Sequence, residues 1–190
     1  MNISETKAIL RQQVLGLVKA MTPEQRAALS GRACALLQRQ EIWEQAALIF
    51  FYAPLPEEVD IWPLVGDALA AGKTVALPRF DPATQRYVAC QIQNIAQDLG
   101  EGRYGIREPG EHCVAVPPNR LDLILAPGVA FDSQGRRLGR GKGFYDQMLA
   151  TVRGTTCGVA FDEQIVETIP VESHDVHLNC ILTPTRWIQP

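Results

Sequence analysis

Glycine and basic residues alternate in one stretch of the chain, residues 135–146. Its sequence, GRRLGRGKGFYD, holds four glycines and four cations within nine residues. Glycine leaves backbone amides uncovered and allows positive φ, while Arg and Lys add donors with fixed positive charge. The stretch follows a predicted buried strand, 121–126, and opens a predicted helix, 144–151. Bare amides, cations and a helix N-terminus together predict an anion site, with phosphate as the expected anion.

Asp146 lies in the first turn of that predicted helix. A carboxylate beside phosphate-binding groups is typical of a Mg²⁺ ligand. The alternative is a basic surface loop without a ligand. The spacing does not fit a P-loop, which ends in Gly-Lys-Ser/Thr. A dinucleotide fingerprint is also excluded, because the acidic partner about twenty residues further on is missing.

The composition is that of an ordinary globular protein. With 190 residues, 46% hydrophobic and 21% charged, the chain can bury a full core, and we expect a single domain over 1–190. The net charge of −3 argues against general nucleic-acid binding and favours a small anionic ligand for the basic stretch.

Five widely spaced cysteines, with no Cys-x-x-Cys pair, support neither a zinc ribbon nor a redox motif. Buried thiols fit a reducing cytosol. The N-terminal residues lack the apolar core of a signal peptide, and no run approaches eighteen apolar residues. We therefore expect a cytoplasmic protein that does not enter a membrane.

Hydrophobic periodicity indicates alternating helices and strands. Helices are predicted at 4–20, 23–39, 60–71 and 144–151. Buried strands are predicted at 46–52, 73–78, 121–126, 155–161 and 178–183, and an antiparallel strand at 86–92. Seven Gly and Pro residues make 93–120 irregular, which is typical of a binding loop. The pattern predicts an α/β fold in three layers, a mostly parallel sheet with helices on both faces.

Charged residues outside the basic stretch leave alternatives open. Lys7 and Arg11 lie one turn apart, either on a solvated face or as two cations that reach phosphates. Glu58 follows a buried strand, where it is either a ligand contact or an exposed loop acid. His174 and His177 only weakly indicate zinc, because no third ligand converges in sequence. Asp175, beside them, is the better candidate for a role at a ligand cleft.

Two adjoining segments, 126–132 (APGVAFD) and 136–146 (RRLGRGKGFYD), resemble the signature of the 5-formyltetrahydrofolate cyclo-ligase family. The resemblance covers essentially the whole chain. Further matching segments follow in the family's order: Lys7 with Arg11, 54–60 (PLPEEVD), 77–79 (LPR), 104–109 (YGIREP) and Pro170 with His174 and Asp175.

The resemblance implies ATP-dependent closure of 5-formyltetrahydrofolate to 5,10-methenyltetrahydrofolate, with Mg²⁺ and with release of ADP and phosphate. Arg140 and Lys142 would be catalytic. The implied ATP contacts are Lys7, Arg11, Arg137, Leu138, Gly139, Arg140, Gly141, Lys142, Gly143, Phe144 and Tyr145. The implied folate contacts are Tyr52, Glu58 and Tyr104, and the implied metal ligands are Asp146 and Asp175. Asn179 stands where the family pattern implies an acid, so no metal role carries over to it.

Two other functions remain open on the residues alone. One is a folate- or nucleotide-binding relative without turnover, and the other is a sugar-phosphate or CoA-handling enzyme on a similar sheet. The presence of Lys142 and Asp146 favours the enzyme, because a binder would tolerate their loss. We expect a monomer that acts on the folate in mono- or polyglutamylated form.

Overall fold

A computed structural model describes residues 2–141, 143–172 and 175–190, without the side chain of Tyr104. The helices are α1 (Ile3–Ala20), α2 (Pro23–Leu37), α3 (Glu41–Gln45), α4 (Trp62–Ala70), α5 (Ile95–Asp98) and α6 (Phe144–Leu149). The strands are β1 (Leu48–Phe50), β2 (Thr74–Asp81), β3 (Arg86–Ile92), β4 (Leu99–Glu101), β5 (Arg107–Pro109), β6 (Leu123–Pro127), β7 (Ala130–Asp132), β8 (Arg137–Leu138), β9 (Thr155–Val159), β10 (Ile165–Val166), β11 (Cys180–Leu182) and β12 (Trp187–Ile188).

Five parallel strands form the centre of a seven-stranded sheet with the order β12-β11-β9-β6-β1-β2-β3. β11, β9, β6, β1 and β2 each run parallel to their neighbours within this group. β3 and β12 pair antiparallel at the two edges. The predicted α/β class with a mostly parallel sheet is confirmed, as is the antiparallel strand at Arg86–Ile92.

Both faces of the sheet are covered, as alternate residues of β1 show. Ile49 packs in one core with Leu37 of α2 and Leu64 of α4. Phe50 packs in a second core with Leu149 of α6. Side chains of neighbouring strand residues point to opposite faces. The predicted three-layer arrangement, with helices on both sides of the sheet, is therefore confirmed.

The first helix begins earlier than the sequence predicted. Asn2 caps α1 in place of Ser4, because its side chain accepts from the amide of Glu5 and the Glu5 carboxylate accepts from the amide of Asn2. This reciprocal capping box satisfies two amides that would otherwise lack partners. The predicted apolar face is only partly buried, since Ile9 and Leu17 are 45% and 55% exposed.

The other helices follow their local signals with shifted ends. α2 has the predicted Thr22 cap and Gln25 box. α4 begins at Trp62, although Asp60 still accepts a bond from the Trp62 amide. α6 ends at Leu149, two residues before the predicted end. Within the described ranges, no helix is both long enough and apolar enough to cross a membrane.

Two short hairpins were not predicted. β4 and β5 pair antiparallel inside the segment expected to be irregular. β7 and β8 pair antiparallel inside the signature region and join β10 in a small three-stranded sheet. Val14 of α1 packs with Leu138 and Ile169 in a third core beneath this small sheet. The glycine-rich stretch is thus anchored on both α1 and the C-terminal segment.

Candidate active site

A cavity of about 240 Å³ opens where β1 and β6 end. Carboxyl ends of parallel strands are the usual ligand site of open α/β sheets. Its walls bring together segments far apart in sequence. They are Phe50, Tyr52, Ala53, Leu55, Glu58, Pro78, Tyr87, Ile106, Glu108, Pro127, Gly128, Arg137, Gly139, Arg140, Gly143, Phe144, Tyr145, Asp146 and Met148.

The glycine-rich loop leaves β8 and reaches α6 along one side of this cavity. Gly141 and Gly143 have φ values of 92° and 67°, in the region that favours glycine. Gly143 is the N-cap of α6 and supplies no side-chain cap. The predicted placement of the loop between a strand and a helix is confirmed, although the strand that precedes it directly is β8 and not β6.

Arg137 is buried at the start of this loop, with only 3% of its side chain exposed. Its Nη1 donates to the carbonyl of Pro127 at 3.1 Å, and its Nη2 donates to the Asp146 carboxylate. Its Nε has no hydrogen-bond partner among the described residues. A buried donor without a partner is costly, so an anion at this position would stabilise the site.

Arg140 crosses the cavity to the loop after β1. Its Nε and Nη2 both lie 3.3 Å from Oε1 of Glu58, and its Nη2 lies 3.8 Å from Glu57. The other Glu58 oxygen accepts from the amide of Leu55 at 3.0 Å. Burial raises the pKa of Glu58, while the Leu55 amide and Arg140 act in the opposite direction. Glu58 is therefore a cavity carboxylate, and the exposed-loop alternative is wrong.

Helix α1 brings its two cations to the same side of the molecule. Lys7 is buried, and its Nζ donates to Asp175 at 2.8 Å and to Glu172 at 2.9 Å. Burial would lower the pKa of Lys7, but the two carboxylates outweigh it and raise this pKa. Arg11 is half-buried, and its Nε donates to the carbonyl of Gly139 at 2.8 Å. The solvated-face interpretation of these two residues is wrong.

Aromatic rings form the apolar wall of the cavity. The hydroxyl of Tyr52 donates to the Val59 carbonyl at 2.7 Å, so the ring and not the hydroxyl faces the cavity. Burial raises the pKa of both Tyr52 and Tyr145 well above the usual range. Phe144 meets the ring of Tyr87 edge-on at 5.0 Å. A flat, apolar ring system would fit between such walls.

The structure does not gather every predicted residue at the cavity wall. Leu138 is buried in the third core. Among the described residues, the cavity lining also lacks Lys7, Arg11, Gly141 and Asp175. Lys142 and His174 lie outside the described residues, as does the side chain of Tyr104. Asn179 lies at the amino end of β11, where its side chain accepts from the amide and hydroxyl of Thr156 in β9 at 2.8 and 2.9 Å. This position is at the opposite edge of the sheet from the cavity.

Glu108 is a cavity residue that the sequence did not single out. It is 9% exposed, and its two oxygens accept from the amides of Phe80 and Arg103 at 2.9 and 3.2 Å. Its signals were its place in the irregular segment 93–120, where a short strand was not expected, and in the family-matching segment 104–109. Tyr87 was missed because apolar and polar residues alternate only weakly in its strand, β3.

Comparison with known proteins matches this arrangement to one family. The profile of the "5-formyltetrahydrofolate cyclo-ligase family" matches residues 3–184. The 5-formyltetrahydrofolate cyclo-ligase of Escherichia coli K12 is 33% identical over 172 residues, covering 88% of this chain and 94% of its own. The mouse cyclo-ligase is 29% identical, covering 95% and 94%.

Two solved structures share the fold. The NMR structure of Aquifex aeolicus 5,10-methenyltetrahydrofolate synthetase superposes with a TM-score of 0.87 at 32% identity, over 96% of this chain and 92% of that one. A 5,10-methenyltetrahydrofolate synthetase from Mycoplasma pneumoniae gives a TM-score of 0.75 at 21% identity, over 94% and 98%. The second similarity concerns the fold alone.

Fold and cavity together define an α/β enzyme with its site at the carboxyl edge of a parallel sheet. The chain belongs to the 5-formyltetrahydrofolate cyclo-ligase family, since the profile covers nearly all of it. The resemblance seen in residues 126–146 is confirmed.

Proposed function

We propose that this chain cyclises 5-formyltetrahydrofolate to 5,10-methenyltetrahydrofolate, using ATP and Mg²⁺ and releasing ADP and phosphate. One observation carries the proposal beyond family membership. The bond from Arg11 to the Gly139 carbonyl holds α1 against the glycine-rich loop, and Arg140 of that loop reaches Glu58 across the cavity. A cationic loop and an apolar, carboxylate-bearing pocket thus adjoin, as a phosphoryl donor and a folate acceptor require.

The triphosphate would lie along the loop of 137–145. Arg137 and Arg140 line the cavity there, and Arg11 bonds the same loop at the Gly139 carbonyl, so three guanidinium groups lie at the loop. The Nε of Arg137, which has no partner among the described residues, offers a buried donor. Guanidinium groups suit phosphate because they donate in a fixed fork. Lys142 would add a fourth cation. Lys7, neutralised by Asp175 and Glu172, would hold the C-terminal segment in place as well as contribute to the local field.

The folate would enter the apolar part of the cavity. Tyr52, Phe144 and Tyr145 offer ring faces to the pterin. Glu58 would accept two parallel hydrogen bonds from the amino group and ring N–H of the pterin, once Arg140 turns to phosphate. Tyr104 is proposed as a further folate contact.

The chemistry follows from the poor leaving ability of a formamide oxygen. This oxygen attacks the γ-phosphorus of ATP as the bond to ADP breaks, which gives an imidoyl phosphate. The neighbouring folate amine then adds to the activated carbon and loses its proton, the C–O bond breaks and phosphate leaves. Phosphoryl transfer depends mainly on positioning and charge neutralisation. Arg140 and Lys142 would supply that neutralisation as the group transfers.

Asp146 fits the metal role better than Asp175. Asp146 lines the cavity with 28% of its side chain exposed, and a carboxylate is the hard oxygen ligand that Mg²⁺ prefers. Asp175 is not among the residues that line the cavity, and its Oδ2 accepts from Lys7 and from the Glu172 amide, so it is the second candidate. When bound, Mg²⁺ would neutralise charge on the phosphate oxygens.

An absorbance assay for the methenyl product tests the proposal. We expect product only when folate, ATP and Mg²⁺ are all present, with one ADP formed per product. Product formed without ATP would refute the mechanism. ATP and folate binding without turnover would favour a binding protein.

Two variants test the cation roles. Arg140→Ala and Lys142→Ala should each lower kcat at least about tenfold in chains that remain folded. Arg32→Ala, on the exposed side of α2, is the control and should keep the parent rate. Near-parental rates in both variants would remove the phosphate-binding argument.

We further propose that the enzyme is a cytoplasmic monomer with one domain. All five cysteines are buried and unpaired, as a reducing compartment would allow. Light scattering on a sizing column would give a mass close to 20.9 kDa, and a dimer mass would overturn the monomer proposal.

A further inference from the structure

Three side chains of types that commonly bind metals, Asp98, His112 and Cys113, converge at the end of α5, outside the proposed reaction site. Nε2 of His112 lies 3.1 Å from Oδ1 of Asp98 and 3.6 Å from Sγ of Cys113. The three donor atoms all lie within 4.8 Å of one another. Among residues 2–141, 143–172 and 175–190, no other group of three such donors meets this condition.

The two distances from His112 are close to those between ligands of one tetrahedral metal ion. Zinc bonds of about 2.0–2.1 Å to nitrogen and oxygen and about 2.3 Å to sulfur place ligand atoms about 3.3–3.6 Å apart. A catalytic triad would instead use both imidazole nitrogens, one for the thiol and one for the carboxylate. Here both contacts end on the same nitrogen. A shared ion explains this convergence, and a triad does not.

Backbone donors orient the carboxylate toward the same point. Oδ2 of Asp98 accepts from the amides of Gln93 and Asn94 at 2.6 and 2.8 Å, which leaves Oδ1 directed at His112. Outer bonds of this kind hold ligands in position at metal sites.

The loop that carries the other two donors is also fixed. The Gly110 amide donates to the Asp98 carbonyl at 2.8 Å, and the Cys113 amide donates to the Gly110 carbonyl at 3.0 Å. Nη1 of Arg79 donates to the same Gly110 carbonyl at 2.7 Å. A Cβ at position 110 would lie 2.8 Å from the His112 ring, so the glycine makes room for the imidazole.

We infer that Asp98, His112 and Cys113 form a binding site for a divalent transition metal, with Zn²⁺ as the best fit. A thiolate, an imidazole and a carboxylate together suit zinc. They do not suit Mg²⁺, which prefers ligands that are all oxygen atoms. Binding transfers the Cys113 thiol proton to solvent. His112 is 62% exposed in its side chain, so water completes the fourth position.

The place of the site in the fold gives the ion a structural role. Asp98 immediately precedes β4, and residues 110–113 follow β5. The ion therefore closes the open end of the β4–β5 hairpin. The same hairpin carries Glu108 into the cavity wall. The metal stabilises the hairpin without touching the reacting groups.

Cobalt provides a direct spectroscopic test on the full chain, kept reduced and stripped of metal by a chelator. We expect added Co²⁺ to produce a near-ultraviolet thiolate-to-metal band and the intense visible bands of tetrahedral cobalt. Zn²⁺ should displace both in a one-to-one titration. Absence of the thiolate band would overturn the inference.

Variants separate this site from other thiols and imidazoles. Cys113→Ser should abolish the thiolate band, and His112→Ala should weaken Zn²⁺ binding at least about tenfold. His112 is exposed, so its loss leaves the core intact. Cys34→Ala and His177→Ala are the controls and should retain parental binding. Zn²⁺ should raise the melting temperature of the parent by several degrees but not that of His112→Ala. An equal rise in both, or a thiolate band retained in Cys113→Ser, would refute the site.

Discussion

Glu58 and Arg140 are partners in this structure, but each has a second ligand in the proposed reaction. The 3.3 Å contact neutralises a carboxylate of which only 9% is exposed. Phosphate at the loop would compete for Arg140 and leave Glu58 in need of donors. The pterin edge supplies such donors, so binding at one half of the cavity favours binding at the other.

The pKa of Glu58 yields a prediction for Glu58→Gln. Burial, the largest cause, raises this pKa above the usual 4.5. The folded chain therefore binds the proton more tightly than the unfolded chain, and the carboxylate lowers stability as pH rises between the two pKa values. We expect the melting temperature of the variant, relative to the parent, to improve from about pH 4 to about pH 7. The variant also loses the contact with Arg140, which shifts its melting temperature in addition to this pH-dependent difference.

Thermal melts across that pH range measure this difference. Glu163→Gln, at an exposed position, is the matched control and should follow the parent at every pH. Parallel curves for Glu58→Gln and the parent would show that the Glu58 pKa is not raised.

The sequence predicted roles for single residues but not the contacts between them. Arg137 was predicted to contact ATP and Asp146 to contact a metal, and the structure pairs them with each other. Nothing in their nine-residue separation indicates this contact, because it depends on the left-handed turns at Gly141 and Gly143 that fold the loop back. Those φ values are permitted by glycine but not specified by it.

At the scale of elements, α1 acts as a support for the glycine-rich loop. Val14 packs under the loop with Leu138, and Arg11 holds the Gly139 carbonyl from one turn earlier. The N-terminal helix thus positions part of the site.

Arg11→Ala should raise the KM for ATP about tenfold or more. Removing a charged hydrogen bond costs about 1.5–3 kcal/mol, and here it also releases the loop. The KM for folate should change less than about twofold, since Arg11 does not line the cavity. Steady-state kinetics with each substrate varied in turn measures both, with Arg32→Ala as control. An unchanged KM for ATP would separate α1 from nucleotide binding.

Asp132 holds the β7–β8 hairpin to the C-terminal segment. It is fully buried, and Oδ1 accepts from the amides of Gln134 and Arg136 at 3.0 and 3.2 Å. Oδ2 accepts from the amide of Ile169 at 2.9 Å. Three backbone donors thus converge on one carboxylate, which closes the turn before the glycine-rich loop.

Asp132→Asn should lower the free energy of unfolding by about 2 kcal/mol. An amide group can accept on only one side, so one buried backbone N–H is left facing a donor. Urea denaturation measures the loss. Asp122→Asn is the control, because Asp122 also accepts from two amides but is exposed to water. Equal losses in the two variants would mean that burial of Asp132 is not the cause.

Local signals account for the elements that were predicted correctly. Thr22 and Gln25 cap α2 through bonds three residues apart, and the turn after β2 returns the chain to β3 at once. The β7–β8 hairpin was missed because its strands have only two or three residues. Its stability comes from Ile169, which is distant in sequence. Contacts between residues so far apart in the sequence leave no periodic pattern that could be detected.

At the scale of the whole molecule, the cavity joins segments from Phe50 to Met148 around one sheet. Continuous apolar runs predicted the parallel strands, because strands buried on both faces have that pattern. The position of β1 between β2 and β6 was not predictable, since strand order depends on crossovers and not on local composition. That order brings the loops after β1 and β6 together at the cavity.

A site assembled from distant segments should stabilise the whole chain when it is filled. A ligand at a hundred times its Kd adds about 2.7 kcal/mol to the folded state. For a chain of this size each kcal/mol shifts Tm by about 2–4 °C, so we expect MgATP at that concentration to raise Tm by roughly 5–10 °C. Arg140→Ala, at the same nucleotide concentration, should show a clearly smaller shift, whereas Arg32→Ala should match the parent. If the parent turned over substrate but MgATP left its Tm unchanged, the folded chain would not bind MgATP at this concentration in the absence of folate. A preformed nucleotide site would then be wrong even though the reaction was right.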